Sequence, residues 1–118
     1  MRTLSPRELL EIWEEGQRLH PIDRALTLLA TACPERRQEE LAQLSIGQRD
    51  ALLFAIRELT FGPSLEAFCE CPSCGAELEL SLNTADLTAG GHEPAEPEMS
   101  LESEGFDVRF RPPNSLDL

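Results

Sequence analysis

Apolar residues recur at helical spacing through the first third of the chain. Two stretches place hydrophobic side chains three or four positions apart, which is the repeat of one face of an α-helix. The first helix is expected to begin after Ser5, whose capping box with Glu8 is a helix-start signal, and the second at Pro21. The expected inward residues are Leu9, Ile12, Trp13 and Gly16 in the first helix, and Ile22, Ala25, Leu26, Leu29, Ala32 and Cys33 in the second.

Two further helices are expected before the pattern changes. A short charged helix is predicted over residues 35–44. A capping box of Ser45 and Gln48 then begins a fourth helix, which runs to about residue 60 and is ended by Gly62 and Pro63. Short connections predict that residues 1–63 form a small antiparallel bundle. The expected inner faces are Leu41 and Leu44 in the third helix, and Leu52, Leu53, Ile56 and Leu59 in the fourth.

After residue 63 the repeat shortens to two, which is typical of β-strands with one apolar and one polar face. Two such strands flank the turn Cys-Pro-Ser-Cys-Gly at residues 71–75, so we predict a β-hairpin over residues 64–87 with an acidic second face. The fold class is therefore predicted as α+β, with about four helices followed by a small antiparallel β element. The apolar positions of the hairpin are Leu65, Ala67, Cys69 and Cys71 before the turn and Leu78, Leu80 and Leu82 after it.

The remaining residues are expected to divide into a loop and a third strand. Residues 88–104 contain five glutamates, two prolines and a Gly-Gly pair, which predicts a flexible acidic loop. Residues 105–118 begin with another alternating stretch, Phe106 to Phe110, which we expect to join the hairpin as its third strand. The helix-start signal at Pro112 to Ser115 has only three residues after it, so we expect the natural chain to continue.

The charge of the chain narrows the choice of partners. The formal net charge is −12 with no lysine, and residues 64–118 hold two arginines against twelve acidic residues. Such a balance repels phosphate, which disfavours nucleic acids and anionic membranes and favours a basic surface on a protein partner. There is no secretory signal and no apolar run approaching the roughly 20 residues of a membrane span. We therefore expect a cytoplasmic protein with reduced thiols.

The turn at residues 71–75 has the spacing of half a zinc-binding site. A structural zinc ion takes four thiolate or imidazole ligands, and Cys71 and Cys74 supply two at knuckle spacing. Cys69 is the first candidate for a third ligand, although a small inward residue of its strand is the simpler interpretation. The other groups have simpler interpretations: Cys33 as a buried thiol, His20 as a surface or capping residue, and His92 as solvent-exposed.

Catalytic motifs are not found in the sequence. A thioredoxin-like Cys-x-x-Cys precedes a helix, whereas this one precedes a strand, and Glu70 and Glu77 are expected to raise the pKa of its thiols. The sequence contains no phosphate-binding glycine loop, nucleophile elbow or His-Glu-x-x-His motif. We therefore predict no catalytic and no cofactor-binding residues, and no enzyme.

Three segments together resemble a known family. They are SIGQRDALL at residues 45–53, the corner Thr-Phe-Gly-Pro at residues 60–63, and the cysteine turn with its following strand. Across residues 22–118 the chain resembles T-even-type phage baseplate proteins identified as baseplate hub assembly chaperones, with relatives in contractile phage tails and extracellular contractile injection systems. The resemblance implies a structural or assembly role. By this resemblance, Cys71 and Cys74 are expected to bind a metal or to stabilise the turn, whereas position 69 is not one where the family is expected to have a cysteine.

Two functions are therefore weighed. The first is a baseplate component or hub assembly chaperone of a contractile, phage-tail-like particle, which binds a basic face of another baseplate or tail protein. The alternative is a small cytoplasmic zinc-ribbon-like adaptor or regulator unrelated to tails. Family members are often longer, with a further Cys-x-x-Cys, so the resemblance implies that this chain carries only half of a metal site. The oligomeric state stays open.

Overall fold

The computed structural model describes residues 1–88 and 98–118, and its elements confirm the α+β class. Helices come first, and two separate antiparallel strand pairs follow. A C-terminal 3-10 helix, Ser115–Asp117, closes the chain. In chain order, the other elements are α1 (Pro6–Gly16), α2 (Pro21–Ala32), α3 (Gln38–Ala42), α4 (Ile46–Phe61), β1 (Ser64–Glu70), β2 (Glu77–Asn83), α5 (Thr84–Leu87), β3 (Met99–Ser103) and β4 (Phe106–Phe110).

The helix starts follow the capping signals in the sequence. Ser5 accepts a hydrogen bond from the backbone N–H of Glu8, and the Glu8 carboxylate accepts one from the backbone N–H of Ser5. Ser45 and Gln48 form the same reciprocal pair at the start of α4. At the other end of α4, Gly62 has a φ of +82°, a backbone conformation that glycine adopts without steric cost. Both caps and the stop were predicted from sequence and are confirmed.

The hydrophobic core lies among the first four helices. Leu29, Ala32 and Leu41 are completely buried, and they belong to a cluster that each of these helices enters. Large side chains without solvent contact contribute most of the apolar burial that stabilises a small domain. The core residues are Leu4, Ile12, Leu26, Leu29, Ala32, Cys33, Leu41, Ala42 and Ile56.

Two residues predicted to be inward are exposed. Trp13 keeps 64% of its surface exposed, because it lies at the edge of the apolar stripe of α1. There it borders an open groove of about 540 Å³ between α1 and α2, which Leu9, Ala25 and Leu28 also line. Leu59 is 51% exposed, because the core contact of α4 is centred one turn earlier at Ile56. The four-helix core therefore buries fewer of its apolar residues than the sequence pattern predicted.

The predicted third strand does not join the first hairpin. β4 pairs instead with β3, from Met99 opposite Phe110 to Ser103 opposite Phe106. A two-residue turn joins them, with positive φ at both Glu104 and Gly105 (52° and 82°). That turn suits the twist of a hairpin, so the nearest strand in the sequence is the preferred partner. Residues 99–103 of the predicted loop are thus a strand, while residues 89–97 of it lie outside the described part.

Both hairpins extend from the helical core. The radius of gyration is 17.8 Å, whereas about 13–14 Å is expected for a compact chain of this length. Neither strand pair contributes a residue to the buried core cluster. Among the helices of residues 1–88 and 98–118, none has the length and apolar character needed to cross a membrane.

Candidate interaction surface and cysteine turn

The pair β1–β2, which we call the knuckle hairpin, presents an apolar face that nothing in the described structure covers. Its register places apolar residues opposite one another, which confirms the predicted two-faced hairpin. The leucines of β2 keep 45%, 45% and 38% of their surface exposed at Leu78, Leu80 and Leu82. Because monomeric proteins rarely expose contiguous apolar patches, such a face is a candidate binding site. The opposing pairs are Leu65 with Leu82, Ala67 with Leu80, and Cys69 with Leu78.

The opposite face of the knuckle hairpin is acidic. Residues 64–83 contain four glutamates and neither lysine nor arginine. Glu70 and Glu77 are directly opposite each other next to the turn, and like charges in that position destabilise the pair. One exception interrupts the acidic face: Phe68, opposite Glu79, is 75% exposed.

The turn between β1 and β2 is closed by backbone hydrogen bonds. The N–H of Gly75 donates to the carbonyl of Cys71 at 2.8 Å, and the N–H of Cys71 donates to the carbonyl of Ala76 at 2.9 Å. Gly75 has a φ of +69°, so a side chain at this position would strain the backbone. The Cys-Pro-Ser-Cys-Gly sequence therefore folds locally into a tight, fixed turn.

The Cys71 thiol has a lowered pKa, contrary to the prediction from its acidic neighbours. Hydrogen bonds from the backbone N–H groups of Ser73, the larger contribution, and of Cys74 stabilise the thiolate and hold the pKa of Cys71 below its ordinary value. The predicted rise from Glu70 and Glu77 is therefore wrong for the pKa of Cys71. The turn thus favours the form of cysteine that binds metals and reacts as a nucleophile.

The candidate metal ligands are not gathered into one cluster. Cys71 and Cys74 share the turn, but Cys69 lies on the apolar face opposite Leu78, and within residues 1–88 and 98–118 no three His, Cys, Asp or Glu side chains are placed to hold a metal ion. Zinc binding therefore stays a prediction, for which this part of the chain supplies two ligands. Cys33 is buried in the core and His20 is exposed at the start of α2, as expected, while His92 lies outside the described residues.

The base of the knuckle hairpin is fixed to the end of α4 by polar contacts. The Arg57 guanidinium donates to the carbonyls of Gly62 and Ser64, and the fully buried Thr84 hydroxyl donates to the carboxylate of Glu58. The N–H of Thr84 also donates to the carbonyl of Pro63 at 3.0 Å. Neither the buried Thr84 nor the short α5 was predicted from the sequence. The missed signal was Asn83, three residues before Asp86, which forms a capping box there.

The pair β3–β4, which we call the second hairpin, repeats this design at the other end of α4. Phe106, Val108 and Phe110 keep 72%, 47% and 45% of their surface exposed on one face of β4. The chain then returns to the start of α4, where the N–H of Ile46 donates to the carbonyl of Pro113 at 3.0 Å. With 16 residues, α4 separates the two attachment points by about 24 Å.

Comparison with known proteins shows the family to which this sequence belongs. A family model described as "T4 bacteriophage base plate protein" matches residues 3–118. The chain belongs to this family. The match includes the cysteine turn and both hairpins of this T4 base plate family member. No curated protein and no solved structure matches the chain.

Proposed function

We propose that this T4 base plate family member is a component or hub assembly chaperone of a phage-tail-like baseplate or contractile injection system. Its role is to bind another baseplate or tail protein. The observation that supports this proposal best is the exposed leucine face of the knuckle hairpin, backed by glutamates. Because the chain belongs to a baseplate family, such a face would be covered by another protein of the assembled baseplate.

The chemistry of the hairpin specifies its partner. The leucines require an apolar surface, because their burial provides the favourable free energy of docking. The carboxylates on the other face act at longer range: they give the hairpin a negative potential that favours lysine or arginine near the partner's apolar surface, since residues 64–83 carry no compensating positive charge. Charge complementarity of this kind raises the association rate and excludes wrong partners more than it raises affinity. The partner is thus an apolar patch bordered by basic residues.

The proposed role is structural rather than catalytic. A baseplate family and a protruding two-faced hairpin both point to contact formation. Assembly would take place in the cytoplasm of the producing cell, before the particle is released. In that setting the helical core serves as the support for two hairpins, whose attachment points at the two ends of α4 lie about 24 Å apart.

Deletion of the gene in the producing strain tests the proposal. We expect particles with missing or incomplete baseplates in electron micrographs, and recovery when the native gene is supplied in trans. Mass spectrometry of purified particles then separates the two roles, since a component is retained and a chaperone is not. Complete, injecting particles from the deletion strain would contradict the proposal.

A further inference from the structure

The cysteine turn has a second use that is independent of the leucine face. We propose that Cys71 and Cys74 form one half of a zinc site, and that the same pair of a second copy of this chain forms the other half. The ion would then join two chains at the tips of their knuckle hairpins.

The turn holds its two cysteines on a fixed backbone. The N–H of Gly75 donates to the carbonyl of Cys71, and the N–H of Cys71 donates to the carbonyl of Ala76, so the backbone that carries Cys71 and Cys74 is fixed before any ion arrives. Zinc in structural sites is bound by four ligands in a tetrahedron, and thiolates are its usual ones. The turn therefore offers two of the four ligands, and two coordination positions of the ion would remain open.

The open positions face solvent. Pro72, Ser73 and Cys74 are all exposed, and Cys71 is half-buried. The turn lies at the end of seven-residue strands, about 23 Å from the helical core. A second turn can therefore approach without contact between the two helical bundles. A tetrahedral ion with four identical ligands also lies naturally on a two-fold axis, which is the commonest symmetry of protein dimers.

The net charge of −12 per chain does not prevent this approach. Exposed charges separated by more than about 8 Å are largely screened at physiological ionic strength, and the hairpins hold the two cores far beyond that distance. The nearby carboxylates act in favour of the ion. Glu70, whose carboxylate lies beside Gly75, and Glu77 create a negative potential at the turn that attracts a divalent cation.

Native mass spectrometry of the purified full chain under reducing conditions tests the inference. Zinc is added in steps up to one ion per chain. We expect a complex of two chains and one zinc ion, which a chelator returns to apo monomers. Cobalt(II) added in place of zinc should give the absorbance of an ion bound by four thiolates at one ion per two chains, a readout that needs no variant.

Two variants locate the site. The double variant Cys71→Ser/Cys74→Ser should lose zinc-dependent dimerisation completely, with unchanged helical circular dichroism because both positions lie outside the core. Cys69→Ser, two positions away on the same strand, is the matched control and should dimerise like the native chain. One zinc per monomer, no zinc at all, or a dimer that survives the double substitution would each overturn the proposal.

Discussion

Substitution of the three leucines of β2 should abolish partner binding while leaving the helical core intact. We consider Leu78→Ser, Leu80→Ser and Leu82→Ser combined in one chain. None of the three belongs to the buried core cluster, so the helices should keep their circular dichroism signal and thermal transition. The change removes the apolar surface that the proposed partner would cover.

The expected effect follows from the exposed fractions. Burying a leucine completely contributes about 1.5–3 kcal/mol, and these side chains still have 45%, 45% and 38% of their surface left to bury. Burial of the three side chains would therefore contribute about 2–4 kcal/mol to docking. Their substitution should raise the Kd by roughly 30-fold to several hundred-fold. An effect of that size is readily separated from the error of a calorimetric titration.

The assay has two stages. The variant is first supplied to the deletion strain, and complete baseplates are counted in electron micrographs. The Kd is then measured by calorimetry against the baseplate protein that cross-links to the native chain. Phe68→Ser is the matched control, because Phe68 is 75% exposed on the other face of the same hairpin. A folded triple variant that restores baseplates as well as the native chain, or a control that fails equally, would refute the leucine face as the docking site.

Three further predictions concern stability. Leu29→Ala should lower the free energy of unfolding by about 2–5 kcal/mol in urea titrations, whereas Leu10→Ala, at a side chain 55% exposed, should change it far less. Thr84→Val removes the hydroxyl bond to the carboxylate at the end of α4 and should speed amide hydrogen exchange in β1 and β2 but not in α2. The Arg2 guanidinium holds the pKa of Glu8 at about 2, below its ordinary value of about 4.5, so its stabilising effect is complete above about pH 5 and is lost as the pH falls through 2. Glu8→Gln should therefore lower the urea midpoint at pH 6, with the difference from the native chain disappearing near pH 2.

Local patterns were enough to predict the helices and the faces of the first hairpin. The capping boxes at Ser5 and Ser45 act within one turn of their own helices, so neighbouring residues determine them. The alternation on both sides of the cysteine turn likewise fixes which residues share a face, because the strands are joined directly. These features need no knowledge of distant contacts.

The features that were missed depend on competition between distant groups. The strand that begins at Phe106 could pair with the knuckle hairpin or with β3. The turn at Glu104 and Gly105 favours β3, which is the nearer strand in the sequence. Trp13 has the spacing of a core residue, but only packing determines where the core ends. At the cysteine turn, charges near Cys71 were visible in the sequence, whereas the backbone donors that outweigh them become visible only when the turn is folded.

The two-stranded construction of both sheets has a consequence for handling the protein. In the described part of the chain, each strand has only one neighbour and leaves its other edge open to pairing with another molecule. Repulsion among the glutamates opposes that pairing at neutral pH. Near the sequence isoelectric point of about 4.4 the repulsion vanishes, and edge-to-edge aggregation should become fastest there. At neutral pH the same repulsion would keep the open strand edges of neighbouring copies unpaired until a basic partner surface neutralises it.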